Sequence, residues 1–209
     1  MSDTSRLPPD DLIRVRVKAE LRKRIRGVRA AMPLEACAKR SAKIIARLEA
    51  LPVVQSARSI ALFWPIIERH EVDLRAFDAA LRARGVSVAY PSIDPETRAM
   101  TFRLAATESL EERGLGFCEP IGNAPEPARG ELDVIIVPAI AIDPSGHRIG
   151  YGAGYYDRTI PKFAPPAITI GVAFDFQLVA EVPFTEHDVR LAHVVTDERA
   201  LLAEATEGS

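Results

Sequence analysis

Apolar positions along this chain recur with two different periods. From residue 13 they fall at steps of four or three, at Ile13, Val17, Leu21, Ile25, Val28 and Met32, the spacing of one helical face. Asp10 stands where it can cap that helix, and the pattern predicts that it runs to about Met32. Pro33 breaks it and starts a second helix, Leu34 to Leu51, with Ile44, Ile45 and Leu48 as apolar anchors. After Pro52 the period shortens. Ser59 to Trp64, Val86 to Tyr90, Val134 to Val137 and Ala167 to Ala173 read as buried strands, Pro91 stopping the second of them. His193 to Thr196 reads as a short last strand, and the alternation in Met100 to Leu104 as an additional one. Helices are predicted from Asp73 to Arg84, stopped by Gly85, and from about Tyr155 to Ile160. Gly114 to Gly130, with three prolines and no clear period, reads as loop.

Strands separated by helices predict an α/β fold, a three-layer α/β/α arrangement around a mainly parallel sheet. The expected organisation is one domain over residues 11–202 carrying a helical N-terminal arm. Residues 1–10 are expected to be disordered or extended and residues 203–209 frayed. No repeat or low-complexity linker divides the chain.

Composition narrows the function classes. With 47% apolar and 27% charged residues and a net charge of −2, the sequence has the balance of a globular protein and gives no general reason to expect nucleic-acid or membrane binding. No apolar run approaches the roughly 20 residues that span a bilayer, and residues 1–11 lack the apolar core of a signal peptide. The two cysteines, Cys37 and Cys118, have no metal-ligand or CxxC spacing and read as reduced structural thiols. A cytoplasmic protein is expected.

The densest chemistry lies between Asp143 and Asp157, just after the apolar run ending at Pro138. Gly150, Gly152 and Gly154 alternate between Arg148 and Asp157. Glycines let backbone N–H groups approach a polyanion, a guanidinium binds phosphate oxygens and a carboxylate binds Mg²⁺. The third glycine of a dinucleotide fingerprint is absent, as is the Gly-Lys-Ser/Thr of a Walker loop. The loop is expected to leave a strand's carboxyl end and enter a helix N-terminus, where α/β sheets place anionic ligands. Tyr151, Tyr155 and Tyr156, three of the four tyrosines, suit the walls of a pocket for a flat ligand. Asp188 can join Asp157 from another loop, since Mg²⁺ needs only one or two carboxylates besides phosphate and water. Lys18, Arg22, Arg26 and Arg29 form a basic stripe beside the apolar face of the first helix; a solvated face is the default for such a run, yet Lys18 and Arg22 can reach a phosphate at a crevice edge.

Together these segments resemble the 5-formyltetrahydrofolate cyclo-ligase (methenyltetrahydrofolate synthetase) family. The likeness runs in order through Lys18-Ala-Glu-Leu-Arg22, Glu71-Val-Asp73, Met100-Thr-Phe102, Gly116-Phe-Cys-Glu-Pro120 and Val137-Pro138 to Gly150-Tyr-Gly-Ala-Gly-Tyr-Tyr-Asp157. It continues through Gly171-Val-Ala-Phe174 with Gln177, and Pro183 to Asp188. The resemblance implies ATP- and Mg²⁺-dependent closure of 5-formyltetrahydrofolate to 5,10-methenyltetrahydrofolate through a phosphorylated formyl intermediate, by a monomer without nucleic-acid or membrane partners. By position it implies ATP contacts from Lys18, Ala19, Glu20, Leu21 and Arg22 and from Arg148, Ile149, Gly150, Tyr151, Gly152, Ala153, Gly154, Tyr155 and Tyr156. It implies folate contacts from Trp64, Glu71, Tyr151 and Tyr155, and Mg²⁺ ligation by Asp157 and Asp188. Arg148, Lys18 and Tyr151 are the residues expected to serve catalysis.

Two departures stand out. Ala153 replaces the glycine or lysine usual in the family. The stretch from Pro65 to Glu71 is about two residues longer than expected, leaving Glu68 as an alternative to Glu71 at the pterin. A relative using ATP on another amide-bearing metabolite, or a non-catalytic folate- or nucleotide-binding regulator, are the competing readings.

Overall fold

A computed structural model describes residues 9–112 and 117–203, with side chains from residue 11 onward. In chain order the helices α1 (Pro9–Ala30), α2 (Leu34–Ala50) and the short α3 (Pro52–Gln55) lead into strand β1 (Ser59–Ala61). Helix α4 (Arg75–Ala83) and strands β2 (Ser87–Ile93), β3 (Met100–Leu104), β4 (Leu110–Glu112) and β5 (Cys118–Pro120) follow. Next come β6 (Val134–Pro138), β7 (Ala141–Ile142), β8 (Arg148–Ile149), helix α5 (Tyr155–Thr159), β9 (Ile168–Val172), β10 (His193–Val195) and β11 (Ala200–Leu202).

Seven strands form the central sheet in the order β11-β10-β9-β6-β1-β2-β3. The pairs from β10 to β2 are parallel, and β11 and β3 close the two edges antiparallel. Alternate residues feed two cores, as the pleat requires. Ile60, Val88, Val134, Ile136, Ile170 and Val172 meet Ile44 and Leu48 of α2 and Phe77 and Leu81 of α4 on one face. Ala61, Ala89, Ile135, Val137 and Val194 meet Ile160 and Phe163, in the turn after α5, on the other. This is the expected three-layer α/β fold.

The differences from the sequence reading have local causes. Strand β2 runs through Pro91 because β1 ends at Ala61, the partner of Ala89. Beyond that point β2 pairs only with β3, so the missing proline N–H costs no ladder bond. The stretch read as loop contains β5, which pairs antiparallel with β4; three residues are too few to show a period. Its Glu119 is buried and accepts the Ile93 N–H at 2.6 Å. Residues 113–116, with Gly114 and Gly116 of the sequence reading, lie outside the described residues.

At the termini, Pro9 and Asp10 are helical, not extended. Asp10 therefore lies within the helix and is not its cap. Ala203 is tied back by its N–H to the Ala192 carbonyl at 2.9 Å. The remaining terminal expectations, on residues 1–8 and 204–209, fall outside the described residues.

The largest correction concerns α1. Its inward face is only partly its apolar stripe: Ile13, Val17 and Val28 are 60%, 40% and 49% exposed, whereas Ile25 of the stripe is buried with Arg29, and Leu21 and Met32 are partly buried with Lys18 and Arg22. The helix docks on the β7–β8 hairpin, where Ile25 and Leu21 join Ile140, Ala141, Ile149 and Val182 in a small apolar patch. It does not lie on the sheet. A narrow apolar patch needs few aliphatic partners, and the cations beside it meet polar groups instead.

Candidate active site

A cavity of about 360 Å³ opens at the carboxyl ends of β1 and β6, lined there by Phe63, Trp64 and Pro138. From β1 the chain moves outward to β2 and later returns to the other side of β1 as β6. That reversal opens a crevice at the strand ends, the usual ligand position in such sheets. The glycine loop does not leave β6 directly, as the sequence suggested. The β7–β8 hairpin intervenes, and Gly171 lets it lie close: a Cβ there would come within 2.4 Å of Ile142 Cδ1. Gln177 fixes the linking segment by donating to the carbonyls of Ala139 and Ile140 at 3.0 and 2.8 Å.

Arg148 therefore projects from a strand and is only 4% exposed. Its Nη1 donates to Asp157 Oδ1 at 2.8 Å, while its buried Nε has no hydrogen-bond partner among the described residues. A buried guanidinium donor left unpaired beside a cavity is costly unless a ligand completes it. The loop beyond it turns through Gly152 at φ 104°, a conformation that a side chain opposes. Arg22 fills the space against Gly152, with its Nε donating to the Gly150 carbonyl at 2.8 Å. Helix α5 has only five residues, so the side chains, more than a helix dipole, supply the positive charge.

The second carboxylate comes from the far end of the chain. Asp188 Oδ2 accepts from Lys18 Nζ at 2.6 Å and from the Thr185 N–H and hydroxyl at 2.7 and 3.0 Å. Burial raises the Asp188 carboxyl, but Lys18 and Thr185 outweigh it and hold the group below its ordinary value. Asp157 Oδ1 also accepts the Val189 N–H at 3.1 Å, which ties α5 to the loop bearing Asp188. These bonds fall on one oxygen of each carboxylate. Among the described residues no cluster of three or more His, Cys, Asp or Glu exists. The two-carboxylate donor set therefore fits Mg²⁺, which takes its other ligands from phosphate and water, and not a transition metal held wholly by protein.

In the same lining, Tyr151 donates its hydroxyl to Glu71 Oε1, and the Ile66 N–H donates to Oε2 at 2.9 Å. Burial, reinforced by the Glu71 charge, raises the Tyr151 phenol, and Arg29 opposes that shift. The longer connection from Pro65 is absorbed by a 3₁₀ turn, Ile67–Arg69, closed by His70 at φ 52°. This brings Glu71 to the cavity, buried, and leaves Glu68 exposed. Trp64 stacks edge-on against Tyr90, ring centroids 6.2 Å apart.

Of the ATP residues implied by the resemblance, Lys18, Arg22, Arg148, Gly150, Tyr151, Gly152, Ala153, Gly154, Tyr155 and Tyr156 line the cavity. Ala19 and Glu20 are exposed elsewhere on α1, and Leu21 and Ile149 pack in the patch beneath it. The helical turn of about 100° per residue lets only Lys18 and Arg22 of that pentad face inward. Trp64, Glu71, Asp157 and Asp188 all line the cavity. The sequence reading missed Phe63, Ile66, Arg69, Pro91, Ile93, Arg98, Met100, Phe117 and Pro138. Their position at or just beyond strand ends was the available signal for Phe63, Pro91, Ile93 and Pro138.

Residues 14–197 match the 5-formyltetrahydrofolate cyclo-ligase family. The chain belongs to this family. A 5-formyltetrahydrofolate cyclo-ligase of Mycolicibacterium smegmatis is 50% identical over 74 residues, 35% of this chain and 38% of that relative. One from Haemophilus influenzae is 27% identical over 184 residues, 85% of this chain and 96% of the relative. The solution structure of the Aquifex aeolicus 5,10-methenyltetrahydrofolate synthetase superposes with a TM-score of 0.79 at 26% identity, covering 92% of this chain and 96% of that one. The cyclo-ligase fold thus accounts for the sheet and the crevice.

Proposed function

We propose that the protein closes 5-formyltetrahydrofolate to 5,10-methenyltetrahydrofolate with consumption of ATP. What carries this reading, beside family membership, is one cavity lined both by cations and two carboxylates and by Trp64, Glu71 and Tyr151. The formyl oxygen attacks the γ-phosphorus, the bond to the β,γ-bridging oxygen breaks and ADP departs. N10 then adds to the activated carbon, loses its proton and expels phosphate, leaving the methenyl bridge. Such transfer needs alignment and charge neutralisation more than a protein nucleophile.

Lys18, Arg22 and Arg148 bind phosphate oxygens, and the unpaired Arg148 Nε gains an acceptor. Asp157 and Asp188 hold Mg²⁺, which when bound supplies positive charge to the phosphates. Trp64 and Tyr155 flank the pterin, and Glu71 accepts from its N–H groups. Purified protein with 5-formyltetrahydrofolate, ATP and Mg²⁺ is expected to develop the methenyl absorbance together with ADP. No signal at high enzyme concentration removes the assignment; ADP formation stimulated by a different amide redirects it, and folate binding without ATP consumption indicates a regulator.

A further inference from the structure

Arg29 closes the basic stripe of α1, yet it is not among the residues that line the cavity. It is 5% exposed, and its Nη2 donates to the Tyr151 hydroxyl at 2.7 Å. A guanidinium has no acceptor, so the phenol oxygen must receive that bond. Its single proton is then committed to Glu71 Oε1, while the Ile66 N–H holds Oε2. The relay thus runs one way, from Arg29 through Tyr151 to Glu71. It also places a buried cation one phenol away from a buried carboxylate, which eases the cost of burying either. Arg26, Arg29 and Arg69 all lie over the Tyr151 ring, 5.9, 5.9 and 5.4 Å from its centroid, but Arg26 and Arg69 are exposed and Arg29 alone of the three bonds the hydroxyl.

We infer that Arg29 is a positioning residue for the folate end of the site: it orients the Tyr151 hydroxyl and thereby holds Glu71 as an acceptor toward the substrate's ring N–H groups. The inference rests on the folate reading above. It assigns a function to a cation that the sequence placed in a solvated or phosphate-binding stripe.

Trp64, the single tryptophan, lines the cavity, so its fluorescence reports 5-formyltetrahydrofolate binding without turnover. Dissociation constants for that folate and, separately, for Mg·ADP are measured in wild type, Arg29→Met, Arg29→Lys, Tyr151→Phe and the double variants with Tyr151→Phe. Arg29→Met is expected to weaken folate binding about tenfold, the scale of one charge-assisted bond. Arg29→Lys should recover part of that loss. In the Tyr151→Phe background the Arg29 changes should add less than about twofold, because the hydroxyl through which Arg29 acts is gone. Mg·ADP binding should move less than about twofold on each Arg29 change, in either background.

Equal effects of the Arg29 changes in both backgrounds, or parallel weakening of Mg·ADP, overturn the assignment and leave the folate reading intact. If Arg29→Met does not fold, Arg29→Lys with and without Tyr151→Phe completes the same cycle. Wild-type protein that binds Mg·ADP but not the folate overturns the folate reading and this role together.

Discussion

Lys18 with Asp188 at 2.6 Å, and Arg148 with Asp157 at 2.8 Å, match two of the three cations proposed to meet phosphate with one carboxylate each. Both carboxylates are thus held in place by the groups that would turn to phosphate when a nucleotide arrives. Asp157→Asn is expected to lower kcat/KM for Mg·ATP by at least about tenfold while Tm changes little, since the Arg148 bond can be kept by the amide oxygen. Steady-state kinetics beside a thermal melt check this, and an unchanged rate makes Asp157 a helix-start residue only. Arg148→Ala should cost more than about tenfold in kcat/KM through loss of a phosphate clamp. At this scale much was legible, because glycines, a guanidinium and two aspartates carry their chemistry in their identity. The choice between Glu68 and Glu71 was not: it depended on how the turn at Ile67–Arg69 spends its extra residues, which no spacing rule reveals. The inward direction of Arg29 was hidden for a related reason, since a cation on a helix is ordinarily solvated.

Helix α2 shows an element whose sequence and packing agree, while α1 agrees only in part. Ile44 and Leu48 were read as anchors and are fully buried between helix and sheet. Leu48→Ala should destabilise the fold by about 2–5 kcal/mol, read from chemical unfolding. For α1 half of the apolar period, Ile13, Val17 and Val28, is exposed while Leu21 and Ile25 dock the helix, because its docking surface is a hairpin patch beside a charged cavity. Periodicity finds the helix but not which side its neighbours occupy. The β7–β8 hairpin and strands β4, β5 and β11 escaped notice since two or three residues carry no period. The glycine loop was conspicuous from composition alone. Gly152→Ala should cost about 1–3 kcal/mol of backbone strain and weaken nucleotide binding in a titration, because the turn and its contact with Arg22 both depend on that residue.

Across the molecule, the parallel strands in the centre and β3 at one edge correspond to segments visible in the sequence, whereas β11 at the other edge does not, and the former were enough to make the fold class accessible early. The electrostatic balance has a consequence in acid. The folded-state pKa of Asp188 lies below its unfolded value of 3.8. Its contribution to stability is therefore complete above that value and is lost as the pH falls through the lower folded one. Asp73, where burial is outweighed by Arg75, behaves in the same sense. Unfolding midpoints measured downward from pH 6 should drop most steeply below about pH 4, and Asp188→Asn should flatten that limb. Finally, the Lys18–Asp188 bond joins residues 170 positions apart. During synthesis the carboxylate that this lysine meets emerges only 170 residues after it. Closing the loop between them is entropically demanding, so this ion pair depends on the sheet contacts that bring its two ends together.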